Sequence, residues 1–352
     1  MSAGPLAAAA LGAPPLPRLR LGRTFVHPGF DALVIGGGLS LLAVAWLKYS
    51  GAAPTQAELL AWLPMALLFS NSAHFAASTV RLYTKPGAFA EFPFLTMGLP
   101  LATLAVLGLV MVFAENVGPH LQALYLTWSP YHYAAQAYGL ALMYAMRSGC
   151  PLEPPEKRLL RLSCLTPFVF AFFNGRGAGL DWFLPQGVQD LPWVYLSRGV
   201  VVQVLQVAIF LLPIVLLVLV RRRGRSLPLI SLLIMVSNGI WWTTLVYIDA
   251  FIWATVFHGL QYLAIVTIFH VKDRQRAAGA GRGWLRPTAT FYAACVALGY
   301  CLFQLWPHSF ALLGFGWSES VLLVVAAINI HHFIVDAYIW RLRKEGNYSL
   351  VT

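Results

Sequence analysis

Five of the nine histidines in this sequence fall inside apolar stretches. His74 lies in Asn71-Ser72-Ala73-His74, His132 in Tyr131-His132-Tyr133, His258 in Phe257-His258-Gly259, and the doublet His331-His332 follows Asn329-Ile330. Ionisable groups are costly in hydrocarbon and mark functional sites when they occur there. Neutral imidazole is a ligand for iron, zinc, copper and nickel. Several of these histidines have a polar residue one helical turn on, among them Gln136 after His132, Tyr262 after His258, and Asp336 after His332. A spacing of four places both groups on one helix face. Asn71 and Asn329 stand three residues before His74 and His332. A metal-bound imidazole usually donates its other N–H to a carboxylate, amide or carbonyl, and these neighbours are of that kind. The expected metal ligands are therefore His74, His132, His258 and His332, with His331 taking the last place if its helix is rotated. Asp336 is expected as a ligand or as the group that orients one. Tyr262 and Gln136 are expected to position dioxygen, water or substrate.

Several chemistries are open to such a set. Histidine-rich ligation with one carboxylate and a free position suits non-haem iron and dioxygen. It also suits a zinc hydrolase, in which bound water is activated near neutral pH. Bis-histidine haem, with His132 and His258 as axial ligands, is a third arrangement. The cysteines Cys150, Cys164, Cys295 and Cys301 form no C-x-x-C pair, so neither a thiolate metal site nor a disulfide framework is indicated. Outside metal chemistry, buried histidines serve proton-coupled carriers as relays, and they can also serve quinone-binding electron carriers. A carrier would be expected to show internal repeats with broken helices in matching halves, and none is evident.

The elements that must hold these residues are membrane helices. The chain is 59% hydrophobic and 11% charged, with mean hydropathy +0.69, whereas soluble domains carry about 25% charge. About ten apolar stretches are long enough to span a bilayer: 30–48, 58–79, 93–113, 120–146, 158–174, 196–220, 227–247, 250–270, 288–306 and 319–341. The expected fold is an all-α polytopic transmembrane bundle over 27–343, flanked by tails at 1–26 and 344–352. The net charge of +11 is gathered in short tracts between spans, such as Arg221-Arg222-Arg223-Gly224-Arg225. This placement is topogenic and argues against nucleic-acid binding. The basic loops alternate with loops nearly free of Lys and Arg, apart from Arg176 and Arg198. Such alternation predicts both termini in the cytoplasm of a bacterial-type inner membrane. The histidine-bearing spans are then the second, fourth, eighth and tenth, all running the same way. His74, His132, His258 and His332 precede the basic residues Arg81, Arg147, Lys272 and Arg341 by 7, 15, 14 and 9 positions. That corresponds to depths of roughly 10 to 23 Å, so one chamber can receive all four imidazoles. His120, His270 and His308 fall at span ends and read as interfacial. A site at this depth is most simply reached by an apolar or lipid-like substrate already in the bilayer.

The pattern resembles that of the Brp/Blh-type bacterial β-carotene 15,15′-dioxygenases, membrane proteins with non-haem iron held by histidines on separate helices. Four short segments carry the likeness: His332 to Asp336 as H-x-x-x-D, Ala73-His74-Phe75, His258 as the first member of an i, i+4 histidine pair, and His27-Pro28-Gly29-Phe30-Asp31. The resemblance implies a membrane iron oxygenase scaffold, with His27 as a further ligand. Two departures stand out: Tyr262 occupies the place of the pair's second histidine, and His132 is additional. Read from the residues alone, His27 and Asp31 form a Pro-containing helix start near the inner mouth of the first span. The H-x-x-x-H and H-x-x-H-H boxes of desaturases and hydroxylases are absent.

Overall fold

The computed structural model describes residues 18–50, 56–85, 87–278 and 283–339. Of the expected tails at 1–26 and 344–352, residues 1–17 and 344–352 lie outside the described residues, together with Trp340, Arg341, Arg343 and Arg282. Among the described residues the chain is 85% helical and contains no strand.

Eleven helices build the bundle. The first two, α1 (Pro28–Ile35) and α2 (Gly38–Tyr49), form one pair bent by 56°. The third, α3 (56–84), runs through Gln56–Leu67 and Ala73–Thr84 with a π-helical turn, Leu68–Ser72, between them. Next come α4 (Phe94–Val112), α5 (Ala114–Arg147) and α6 (Pro154–Asn174). Two short turns, Leu180–Phe183 and Gln186–Gln189, lead into α7 (Pro192–Arg222). The remainder are α8 (Leu229–Thr244), α9 (Tyr247–Ala278), α10 (Leu285–Leu312) and α11 (Trp317–Ile339).

Among the described residues every stretch expected to span is largely helical, but by length and apolarity five helices qualify as crossings, or six if the bent pair counts as one. The five are α4, α7, α9, α10 and α11. α8 falls short by length, α6 carries Lys157, Arg158 and Arg161 in its first half, and α5 is interrupted along its length by polar residues such as Asn116, Gln122, His132 and Gln136.

The basic ends gather at one end of the bundle. Glu156 is fully buried and accepts from Arg223 at 3.2 Å and from Arg225. Ser226 donates to the Arg18 carbonyl, and the Leu229 amide donates to Arg20. The guanidinium of Arg147 and the ammonium of Lys272 both lie over the Phe25 ring. Residues 18–26, which the sequence assigns to the tail, are thus docked against the bundle.

Asp31 explains the docking. Its buried carboxylate accepts the amides of Phe25, Val26 and His27 at 2.5, 3.1 and 3.2 Å and the Tyr144 hydroxyl at 2.7 Å. His27 is exposed and caps α1 by accepting the Gly29 amide at Nδ1. Both residues therefore have local structural tasks. Charge-assisted hydrogen bonds are worth about 1.5–3 kcal/mol each, and a buried group left unpaired costs about as much. Asp31→Ala should lower stability by about 3 kcal/mol or more, and Tyr144→Phe by about 1.5 kcal/mol. Thermal unfolding of the detergent-solubilised protein would read this ordering, and an unchanged midpoint for Asp31→Ala would contradict it.

Candidate metal centre

Four helices deliver one imidazole each to a common point. His74 comes from α3, His132 from α5, His258 from α9 and His332 from α11, one turn before Asp336. All five side chains are buried, from 0% exposed for His74 to 8% for His132. The ring centroids of His74 lie 4.4 Å from His332, 4.8 Å from His258 and 6.2 Å from His132. Those of His132 lie 5.0 Å from both His258 and His332.

Local sequence sets this convergence. The π-helical turn Leu68–Ser72 ends immediately before Ala73-His74 and shifts the register of α3 there. Such turns often accompany functional sites. Two local features accompany it: Pro64 lies inside the preceding helix and removes a backbone donor, and Ser70 Oγ donates back to the Ala66 carbonyl at 2.5 Å. Glycines then let neighbouring helices touch the widened turn. A Cβ on Gly259 would stand 2.9 Å from the Ser70 carbonyl oxygen, and one on Gly299 would stand 2.7 Å from the backbone of Ser72. Gly259 follows His258 directly, so the same close approach of α9 to α3 brings His258 to His74. In α5, Pro130 lies two residues before His132. Proline removes a backbone donor and relaxes the helix there.

The ligand atoms fall into two overlapping groups, His74/His132/His258 and His132/His332/Asp336, each with its atoms within 4.8 Å of one another. In the second group, His332 Nε2 is 3.3 Å from His132 Nε2 and 3.2 Å from Asp336 Oδ2, and the third side is 3.8 Å. An ion about 2.0–2.2 Å from three such donors fits a triangle of these sides.

The hydrogen bonds around His332 set its tautomer. Ser78 Oγ donates to the Phe75 carbonyl at 3.1 Å and lies 2.9 Å from His332 Nδ1. With its one proton on the carbonyl, the hydroxyl accepts from Nδ1–H, and His332 Nε2 is left as a bare lone pair facing His132 and Asp336. On the other side of the carboxylate, the Tyr262 hydroxyl donates to Asp336 Oδ1 at 2.7 Å. Neither nitrogen of His74 nor Nε2 of His258 has a hydrogen-bond partner. The Asn71 carbonyl lies near the His74 ring, outside hydrogen-bonding geometry. Buried polar atoms are nearly always paired, so the orphaned rings of His74 and His258, each offering one ligand nitrogen, form with the carboxylate a donor set suited to a cation.

Other residues singled out by spacing sit differently. His331 is half-buried and outside both groups, because consecutive helical residues point about 100° apart. Gln136 donates to the His258 carbonyl at 3.3 Å, bracing α5 against α9, and its Oε1 is unpaired. Tyr262 bonds across helices to Asp336 as well as sharing a helix with His258. Asn329 donates to Val325 in its own helix. His120 accepts from Trp182, His270 stacks on Phe291 and His308 meets the Gln304 carbonyl. The four cysteines are free.

Ser78, Tyr133, Phe75 and Phe333 were not expected at the site. Phe333 lies 4.6 Å from the His132 ring, Phe75 4.7 Å from His332, and Tyr133 4.4 Å from His258. Ser78 lies one turn after His74, so the i, i+4 rule that flagged the other partners applies to it too.

Gly259→Ala should force α9 away from Ser70 and weaken divalent-ion binding by about 10–100-fold, the loss typical of displaced supporting groups. Gly108→Ala, where a Cβ meets open space, is the control. Calorimetric titration with a divalent ion measures both, and equal affinities would contradict this positioning role. No protein-family model, curated protein or solved structure matches the chain.

Proposed function

We propose that the protein is a membrane-embedded, metal-dependent oxidoreductase, a non-haem iron oxygenase acting on an apolar or lipid-like substrate. The observation that carries this reading is the buried cluster of four imidazoles and one carboxylate with unpaired ring nitrogens. Five candidate donors of nitrogen and oxygen, with no sulfur, exceed the four positions zinc normally fills in proteins. They suit an iron ion that keeps a position free. Rings in mutual contact at 4.4–5.0 Å leave room for an ion between them and argue against a porphyrin between His132 and His258. The likeness of His74, His258, His332 and Asp336 to the Brp/Blh-type pattern supports the same choice, as a shared scaffold and not a shared substrate.

Iron held here would supply dioxygen activation. The chain's own residues hold and shield the centre. Ser78 fixes the His332 ring. Tyr262 orients Asp336 and keeps a hydroxyl proton at the edge of the site. Phe75 and Phe333 cover two imidazoles with apolar surface and exclude bulk water. The sequence-based topology of ten spans, with both ends of the chain in the cytoplasm of a bacterial-type inner membrane, belongs to this proposal. In it the centre lies within the bilayer, where a lipid-like substrate partitions.

Elemental analysis of the purified protein should find about one iron per chain, with no haem Soret band. Alanine at His74, His132, His258, His332 or Asp336 should each reduce bound iron by tenfold or more, whereas His331→Ala should retain it. Oxygen uptake with apolar polyene or lipid substrates reads the activity. A folded protein that takes up no metal would overturn the proposal and favour a histidine proton relay.

A further inference from the structure

A small pocket, partly open to the outside of the bundle, adjoins the cluster on the side of His258. Its volume is about 30 Å³, and its walls include Ser40, Ser237, Asn238, Gln261, Tyr133 and His258. A single water needs ~10–15 Å³ of such space, so one or two fit.

The polar walls have capacity left for a guest. Trp241 Nε1 donates to Ser40 Oγ at 2.6 Å, and the Ser40 proton remains to be given. Asn238 uses Nδ2 on the Cys164 carbonyl at 2.9 Å and keeps its Oδ1. Gln261 uses Nε2 on the Ile35 carbonyl at 3.0 Å and keeps its Oε1. Ser237 donates to the Ile234 carbonyl at 3.1 Å and keeps acceptor lone pairs. One donor and several acceptors around a space of this size match water, whereas apolar cavities of similar size stay dry.

The backbone supplies a second, independent observation. The cavity lies against the break between α1 and α2, where Gly37 has φ +82° and where a Cβ would strike Ser237 Oγ. Gln261 covers the Ile35 carbonyl freed by that break, and Ser237 lies 3.5 Å from the Gly36 carbonyl. In a membrane protein, interrupted backbone is tolerated where it is buried in protein or lines a water-filled cavity.

We propose that this cavity is a resident water site and that it supplies water to the metal centre past His258. His258 belongs both to the cavity wall and to the cluster, and its Nε2 has no protein partner. The supply role rests on the metal-centre reading, whereas the hydration stands on the cavity alone.

The test is radiolytic labelling of the full-length, detergent-purified chain in ¹⁸O water, in which an internal water converts to hydroxyl radical and marks the side chains touching it. Trp241 is 2% exposed, so bulk radicals reach it poorly, yet it borders the cavity. Wild type should show ¹⁸O at Trp241. Ala254→Leu, which fills the cavity from one wall, should reduce that label at least tenfold. Xenon pressurisation of the wild type covers the case in which this variant misfolds: xenon occupying the cavity, or an unlabelled Trp241, would overturn the hydration.

Supply is read on protein loaded with Mn²⁺. Ala254→Leu should slow water-proton relaxation several-fold at unchanged manganese content. Unchanged relaxation with the Trp241 label lost would overturn the supply role. A chain that binds no ion contradicts the metal centre, and the supply role with it, while the labelling still decides the hydration.

Discussion

Lone pairs facing one another in an apolar interior are the constraint on which this structure turns. Four imidazoles and a carboxylate are brought together, and both ring nitrogens of His74 and Nε2 of His258 have no hydrogen-bond partner. Ser78 Oγ lies against His332 Nδ1, the Tyr262 hydroxyl donates to one oxygen of Asp336, and the other oxygen stands beside Nε2 of His332 and His132. In water each lone pair would be solvated. Inside a bundle, unpaired polar atoms cost about 1–3 kcal/mol apiece, and a buried carboxylate costs more. A cation at the convergence point would offset these costs together, which is what makes the cluster a candidate metal centre.

The rest of the fold serves that convergence. Helices in hydrocarbon associate through close packing and interhelical hydrogen bonds, since lipid is as apolar as leucine. The π-helical turn in α3 and Gly259 in α9 create one close approach, and Gln136 reaching the His258 carbonyl ties α5 to α9. Tyr262 to Asp336 ties α9 to α11. At the basic end, Asp31 fastens the segment 25–27 and Tyr144, and Glu156 gathers two arginines. The centre is therefore held by contacts beside it, and the bundle is fastened again at its basic end.

Much of this could be read from the sequence, for physical reasons that also mark its limits. Apolar length exposes helices directly, so the helical stretches were legible. Whether a helix crosses a bilayer was less so, because α5 and α6 mix polar and charged residues into helical length. Histidine inside an apolar run is conspicuous, and an H-x-x-x-D spacing fixes a shared face, so His74, His132, His258, His332 and Asp336 were visible. The choice of His332 over His331 was not, because it depends on how α11 is rotated. Tyr262 is legible as a neighbour of His258, but its bond to Asp336 crosses helices and has no sequence period. The early His27 to Asp31 segment shows the opposite limit: its spacing imitates a ligand pair, while a capping histidine and a carboxylate binding backbone amides account for it.

X-ray absorption at the metal edge of the purified, metal-loaded protein tests the central claim most directly. The expected spectrum has a first shell of nitrogen and oxygen at about 2.0–2.2 Å, with the multiple-scattering pattern of three or four imidazoles, which weakens in His132→Ala because His132 belongs to both ligand groups. A first shell containing sulfur, or one without imidazole scattering, would contradict a metal centre built from His74, His132, His258, His332 and Asp336.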